Sequence, residues 1–235
     1  MAAAAGRRAY GIAWGCRILA VKIFHGGNLA QDERVADAIR YAARRADILS
    51  CSWSSGRSPD IELALEDAGR FGPGGRGAAV FCAAGNEEHA PVGYPASDPN
   101  AIAVGASTDA GELAWYSNVG PEIDFVAPSN GGVQGIFTTD VSYPGRGYNL
   151  GRADRGGKDG LHTNDFGGTS SATPLAAGVG ALMLSVNPKL EREELRGILR
   201  ATSDKIGSGY DANGHSQEFG HGRINAALAV GAAAR

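Results

Sequence analysis

The chain has 235 residues, of which 43% are hydrophobic and 20% are charged, and its formal net charge at pH 7 is −3. This length is sufficient for one ordinary globular core, and we predict a single domain over residues 1–235. Acidic and basic residues are dispersed, and no run reaches the roughly 18 apolar residues of a membrane span. We therefore expect neither nucleic acid nor a membrane as a partner.

Neither the N-terminal sequence nor the cysteines indicate a cellular compartment. Residues 1–15 lack the basic start and the continuous apolar stretch of a secretory signal. Three cysteines are too few for a disulfide framework. Cys51 and Cys82 lie on predicted buried strands, where a thiol serves as a small apolar side chain. The localisation therefore stays unassigned.

Short apolar runs alternate with helix-patterned runs along the chain. This alternation is typical of an α/β fold in which a parallel sheet is flanked by helices on both faces. We predict strands over residues 18–24, 48–53, 78–83, 102–106 and 123–127. We predict helices over residues 35–46, 59–72, 175–186, 190–202 and 224–234.

Two local signals refine this pattern. Ser58 followed by Pro59 is typical of a helix N-cap and of the first helical position. Between Gly131 and Phe166, glycines, polar residues and Pro144 predict a long surface loop without regular structure.

The sequence predicts a serine hydroxyl at the N-terminal end of a buried helix. The run GGTSSATP at residues 167–174 leads directly into the apolar residues 175–186, and its glycines permit a tight backbone. Unpaired amides at the start of a helix favour negative charge that develops beside Ser170. The alternative is that Ser170 or Ser171 only caps the helix, because serine is a preferred cap residue.

This octet resembles the nucleophile motif of the subtilases, the subtilisin-like serine peptidases. Further segments resemble family segments and follow in the family's order: residues 47–54, 82–87, 92–95, 101–105, 116–128 and 219–225. The resemblance implies a subtilisin-like fold and a serine endopeptidase that hydrolyses peptide bonds through an acyl-enzyme on Ser170. That chemistry requires no cofactor.

The resemblance also implies which residues surround the nucleophile. Asn86 would donate its side-chain amide to the oxyanion, together with the backbone N–H of Ser170. An extended polypeptide substrate would contact Ser52, Trp53, Ser54, Ala84, Gly85 and Gly93. Two other interpretations stay open, because a Gly-Asn pair is often only a turn and because Trp53 could cover the edge of the sheet.

Two motifs of the family are missing from this sequence. In subtilases an Asp-Ser/Thr-Gly strand end and a His-Gly-Thr helix start precede the segment that here spans residues 17–24, and neither occurs. Residues 1–6 resemble the family helix that follows the histidine. We therefore expect an N-terminally truncated subtilase, incomplete at that end of the fold, for which a missing N-terminal segment would be a partner. Because a serine needs a base, we expect the chain alone to be nearly inactive.

Other interpretations of the function are weaker but distinct. A non-catalytic, peptide-binding fragment or pseudoenzyme is the main alternative. His162 is the histidine nearest to Ser170 in sequence, but its place in the predicted loop disfavours a role as general base. An esterase of the α/β-hydrolase class requires Gly-x-Ser-x-Gly, whereas Ala172 occupies the final position here.

One pair of carboxylates suggests a cation. Glu122 and Asp124, with backbone carbonyls near Ala96 and Asp98, resemble a weak cation site of some subtilases. A structural calcium ion is therefore the candidate cofactor, and no other metal site is predicted.

Overall fold

The computed structural model describes residues 11–141, 147–158 and 160–235. The predicted helical start over residues 1–6 lies outside these ranges, as does Pro144. The strands are β1 (Phe24–His25), β2 (Asn28–Leu29), β3 (Ile48–Cys51), β4 (Ala79–Ala83), β5 (Ile102–Ser107), β6 (Ile123–Pro128), β7 (Ile136–Thr139) and β8 (His162–Phe166). The α-helices are α1 (Asp32–Ala43), α2 (Pro59–Arg70), α3 (Thr169–Val186), α4 (Arg192–Ala201) and α5 (Ala226–Ala233).

A four-stranded parallel sheet forms the centre of the fold. Its strands lie side by side in the order β3, β4, β5 and β6. Every residue of β4 and β5 is buried, which explains why both strands read as continuous apolar runs. The four predicted strands that form this sheet are confirmed within two residues at each end.

Helices cover both faces of the sheet, as the sequence predicted. Alternate residues of β4 divide between two cores, because successive side chains of a strand point to opposite faces. Val80 packs with α1 and α2 on one face. Phe81 packs with α3, α4 and α5 on the other face. The α/β class is therefore confirmed.

The helices begin and end where local chemistry favours it. Pro59 stands in the first turn of α2, and Ser58 occupies the N-cap position without a side-chain cap bond. Helix α4 starts with a capping box in which Glu191 and Glu194 each accept from the other's backbone N–H. Helix α5 is capped by Asn225, which accepts from the backbone N–H of Leu228.

Helix α3 runs through the interior against the sheet. It contacts all four parallel strands and helix α5. Among the described residues it is the one helix whose length and composition would also suit a membrane span, and half of that stretch is buried inside the protein. Its apolar composition is accounted for by this packing.

The prediction of a strand over residues 18–24 is wrong. Residues 17–23 have no regular structure, and Ile18 is 71% exposed. Only Phe24–His25 forms a strand, and it pairs with Asn28–Leu29 in a small antiparallel hairpin. An apolar run forms a strand only where a neighbour pairs with it, and β3 has no partner on its outer side among the described residues.

The prediction of an unstructured loop over residues 131–166 is partly wrong. Strands β7 and β8 lie within it and pair antiparallel, with Thr138 opposite Thr163 and Thr139 opposite His162. These strands are short and mostly polar, and their pairing joins residues that are far apart in sequence. Neither local apolar alternation nor a tight turn signal could therefore reveal them.

Asp124 does not have the surroundings of a cation ligand. Its carboxylate is fully buried and accepts hydrogen bonds from Arg196 at 2.8 and 3.0 Å, from Arg200 at 2.5 Å and from the backbone N–H of Ala103 at 2.8 Å. The Arg196 guanidinium also donates to the carbonyl of Pro99 at 2.8 Å. Two arginine side chains thus neutralise the carboxylate that was predicted to bind calcium.

This pairing predicts the effect of removing the carboxylate. Asp124→Ala should lower the free energy of unfolding by about 3–5 kcal/mol, because two arginines would lose their buried counter-ion. Urea unfolding measures the change. Glu122→Gln is the matched control on an exposed carboxylate and should change stability by less than about 0.5 kcal/mol. Stabilisation of the wild type by millimolar calcium that both variants abolish would instead support a cation at this pair.

Candidate active site

The ends of two neighbouring parallel strands bring the first site residues together. Cys51 at the end of β3 lies opposite Cys82 in β4. Ser52, Trp53 and Ser54 therefore leave the sheet beside the segment that leads to Asn86. The carboxyl edge of an open parallel sheet is where such folds bind ligands.

Ser170 lies in the first turn of α3 and is partly exposed. The N-cap is Gly168, whose φ of 77° is a conformation that favours glycine. Neither Ser170 nor Ser171 caps the helix, since the Ser171 hydroxyl donates to the Gly168 carbonyl at 3.1 Å. The interpretation of Ser170 as a simple cap is therefore wrong. Its hydroxyl has no hydrogen-bond partner within the described ranges.

Asn86 is oriented by Thr169, the residue before Ser170. The Thr169 backbone N–H donates to Asn86 Oδ1 at 2.8 Å, and the Thr169 hydroxyl lies 3.0 Å from the same oxygen. Because two donors fix Oδ1, the Nδ2 group of Asn86 must point the other way. In the part of the chain that the structure describes, neither this Nδ2 nor the backbone N–H of Ser170 has an acceptor. The bond from Thr169 brings the Asn86 side chain to the start of α3, where Ser170 lies.

The helix start is also tied to the segment after β3. Pro174 lacks an N–H and cannot donate to the Ser170 carbonyl four residues earlier. The Ser52 hydroxyl donates to that carbonyl instead, at 3.0 Å. A proline inside α3 thus leaves an acceptor that fixes the distance between Ser170 and the expected substrate strand.

Gly85 and Gly93 lie at a close approach of two backbone segments. Gly85 has φ of 114°, and a Cβ there would lie 2.2 Å from Nδ2 of Asn118. The backbone N–H of Gly93 donates to the Ala84 carbonyl at 2.8 Å. A bridge between Ser55 and Tyr94 joins this region to the segment after β3. The predicted substrate residues are therefore neighbours in space.

Trp53 is placed at the outer side of β3. Its ring is half-buried and lines a cavity of about 490 Å³ between residues 17–24, helix α1 and β3. This position matches the interpretation that Trp53 covers the edge of the sheet. Its backbone groups remain beside those of Ser52 and Ser54.

A network of hydrogen bonds around Gly168, the N-cap residue of α3, was not predicted from the sequence. The Tyr116 hydroxyl donates to Asn130 Oδ1 at 2.7 Å and accepts from the Gly168 backbone N–H at 3.2 Å. Ser129 donates to the Gly168 carbonyl at 2.8 Å. Burial raises the pKa of the Tyr116 hydroxyl, so it stays a neutral donor. Tyr116 lies in a family-like segment, but its bonding partners are set only by the tertiary fold.

Asn118 was also missed, and it organises the segment around Asn86. Its Nδ2 lies 3.2 Å from the Ala84 carbonyl and 2.6 Å from a carboxylate oxygen of Glu87. Its Oδ1 accepts from the Glu87 backbone N–H at 2.8 Å. A side chain that satisfies several backbone groups holds a loop in one conformation. Its one signal in the sequence was its place inside the family-like segment at residues 116–128.

No general base is in contact with Ser170 among the described residues. The ring of His162 stacks on Phe137, with 5.4 Å between ring centroids. His215 and His221 contact each other, and His215 bonds the Ile123 carbonyl. Burial, with Arg200 nearby, lowers the pKa of His221. No group of three or more His, Cys, Asp or Glu side chains with metal-binding geometry occurs within residues 11–141, 147–158 and 160–235.

Comparisons with known proteins give a consistent family. A calcium-dependent protease of Nostoc sp. is 39% identical over 94% of this chain and 37% of its own length. The halolysin-like extracellular serine protease Nep of Natrialba magadii is 31% identical over 92% of this chain and 34% of its own length. The chain thus spans about a third of the length of these relatives.

Shorter relatives and solved structures agree. Subtilisin Savinase of Lederbergia lenta is 29% identical over 94% of this chain and 70% of its own length. A protease from Pseudoalteromonas arctica superimposes with a TM-score of 0.74 over 95% of this chain and 65% of that one, at 23% identity, which supports the fold alone. The family model described as the subtilase family matches residues 1–222. The chain therefore belongs to the subtilase family of serine proteases.

Proposed function

We propose that this chain carries the nucleophile, the oxyanion site and the substrate strand of a serine endopeptidase. The observation that supports the proposal most is the pair of free donors, the Ser170 N–H and Asn86 Nδ2, beside the Ser170 hydroxyl. Donors fixed before the reaction stabilise charge that develops in a tetrahedral intermediate without reorganisation. Family membership supplies the reaction class, which is hydrolysis of peptide bonds in polypeptides.

In this proposal Ser170 Oγ attacks the scissile carbonyl carbon and forms an acyl-enzyme. The carbonyl oxygen becomes an oxyanion and accepts from the Ser170 N–H and from Asn86 Nδ2. The positive end of α3 favours the same charge. The leaving amine departs with a proton, and water then hydrolyses the ester. Each proton transfer requires a base, which the residues in contact with Ser170 do not supply.

The substrate would bind in an extended conformation along Ser52, Trp53 and Ser54. No backbone hydrogen bond involves Trp53 or Ser54 within the described residues, so their N–H and C=O groups are free to pair with a peptide. Main-chain pairing of this kind binds a strand with little dependence on its sequence. The small residues Ala84, Gly85 and Gly93 would leave room for one side chain.

Among the described residues, no base contacts Ser170, and this bears on the activity of the chain by itself. Without a base, oxyanion donors and binding alone leave roughly 10³–10⁴-fold acceleration over water in serine proteases of this class. We therefore propose that this chain alone is nearly inactive and that an additional polypeptide supplies the histidine. The outer edge of β3 has no partner strand within the described ranges, and this edge and the exposed apolar residues beside it support the addition of a strand there.

Calcium has no role in this proposal. Two relatives are named calcium-dependent proteases. In this chain, however, Asp124 is neutralised by Arg196 and Arg200. The described residues thus do not fit the calcium site that the resemblance implies.

Peptide boronic acids test the nucleophile and the oxyanion donors without the need for turnover. A set of tetrapeptide boronic acids with different residues beside boron should form a tetrahedral adduct with Ser170, detectable by boron NMR and by calorimetry. Ser170→Ala should abolish the adduct. Asn86→Ala should weaken binding by about 1.5–3 kcal/mol, or about 10- to 150-fold, because one charge-assisted hydrogen bond is lost.

The controls separate this chemistry from simple peptide binding. Asn213→Ala changes an exposed asparagine in a turn, and its affinity should equal that of the wild type. Tetrapeptide amides of the same sequence should bind equally to the wild type and to Ser170→Ala. Equal affinity of the boronic acids for the wild type and Ser170→Ala would refute the nucleophile and favour a peptide-binding fragment.

Turnover tests the absence of a base. Hydrolysis of activated peptide anilides by the purified chain should stay below about 10⁻² s⁻¹, far under the roughly 1–10³ s⁻¹ typical of enzymes. The residual rate should fall in Ser170→Ala. Enzyme-like turnover that depends on Ser170 would show that a base does reach the hydroxyl, and the inactivity proposal would then be abandoned.

A further inference from the structure

Two cysteines face each other below the candidate active site. Cys51 in β3 and Cys82 in β4 are register partners on adjacent parallel strands. Partnered residues of neighbouring strands present their side chains on the same face, and both thiols belong to the core that contains α1 and α2. Cys51 is 7% exposed and Cys82 is fully buried. Neither thiol has a part in the proposed peptidase chemistry.

The two thiols differ in their environments. Cys51 is one of the residues that line the 490 Å³ cavity and is more exposed than Cys82, so we expect a small solute to reach Cys51 first. A hydrogen bond from Cys82 lowers the pKa of Cys51 against the effect of burial, and Trp53 adds to this. The hydrogen bond to Cys51, followed by burial and by the charge of Asp98, raises the pKa of Cys82 well above its usual value. The thiolate of the pair is therefore favoured on the accessible sulfur.

We propose that Cys51 and Cys82 form a redox-active dithiol site, which hydrogen peroxide oxidises to an intramolecular disulfide. In the first step the Cys51 sulfur attacks one peroxide oxygen, the O–O bond breaks, and Cys51 sulfenic acid and one water form. In the second step the Cys82 sulfur attacks the Cys51 sulfur, an S–S bond forms, and a second water leaves. The two sulfurs lose two electrons in all, and peroxide gains them.

The strand geometry permits this disulfide bond but would leave it strained. Adjacent strands lie about 4.7–4.9 Å apart, within the roughly 4.4–6.8 Å that disulfides span between Cα atoms. Side chains of parallel partners run side by side, so the two Cβ atoms must approach each other for the bond to form. A strained disulfide is reduced readily, and we therefore expect the oxidation to be reversible by a dithiol.

Oxidation of the cysteine pair would affect the candidate active site, because both cysteines are close to site residues in the chain. Cys51 directly precedes Ser52, which donates to the Ser170 carbonyl. Cys82 lies four residues before Asn86 in the same chain segment. A bond that draws β3 and β4 together would change the spacing of the segments that follow them. The covalent chemistry itself does not depend on the proposed peptidase function.

Mass spectrometry of the whole chain tests the proposal. In a Cys16→Ser background, which removes the exposed third thiol, hydrogen peroxide should lower the mass by two hydrogen atoms. N-ethylmaleimide added in denaturant should then find no free thiol, whereas the untreated chain should take up two labels. Peptide mapping should join Cys51 to Cys82, and a dithiol should restore both labels.

Single variants assign the two roles. In Cys82→Ser, the sulfenic acid on Cys51 should persist and react with dimedone. In Cys51→Ser, the buried Cys82 should stay unmodified. Circular dichroism verifies that each variant is folded, and the mass measurement on the Cys16→Ser chain decides the question alone if a further variant is not. Two labels after peroxide treatment of the Cys16→Ser chain, or a disulfide that forms equally fast in unfolded chain, would overturn the proposal.

Discussion

The hydrogen bond from the Thr169 backbone to Asn86 Oδ1 is the constraint on which the site depends. It joins the start of α3 to the segment that follows β4, and these elements are far apart in sequence. It also fixes the orientation of the Asn86 amide, whose Nδ2, like the Ser170 N–H, has no acceptor among the described residues. Without it, Ser170 and the Asn86 amide would be joined, in the described part of the chain, only through the bonds of the neighbouring Thr169 hydroxyl.

The surrounding structure supports this bond from several sides. Pro174 frees the Ser170 carbonyl for Ser52, which holds the segment after β3 at the helix start. The Tyr116 hydroxyl accepts a hydrogen bond from the backbone N–H of Gly168 and so fixes the turn at the start of α3. Asn118 holds the backbone around Glu87. The bonds of Tyr116 and Asn118 are partly buried, where an unpaired polar group would be costly. The donors of the site are therefore held in fixed positions, whereas no base contacts Ser170 among the described residues.

Much of the fold could be predicted, because the central strands are buried on both faces and therefore read as apolar runs. The same reasoning failed for residues 18–24, which are apolar but of which only Phe24 pairs with a neighbouring strand among the described residues. It also failed for β7 and β8, whose polar residues pair across a long interval. Local composition determines whether a segment can form a strand, but the partner determines whether it does.

The sequence by itself determined the α/β class, the place of Ser170 at a helix start and the segments that resemble the subtilases, because these depend on local pattern and short motifs. The tertiary structure alone decided which side chains meet. Asp124 resembled a calcium ligand until Arg196 and Arg200 of α4 were placed against it. Cys51 and Cys82 were two separate buried thiols until the strand register made them neighbours. Such contacts join residues distant in the chain, and only the packing of the elements specifies them.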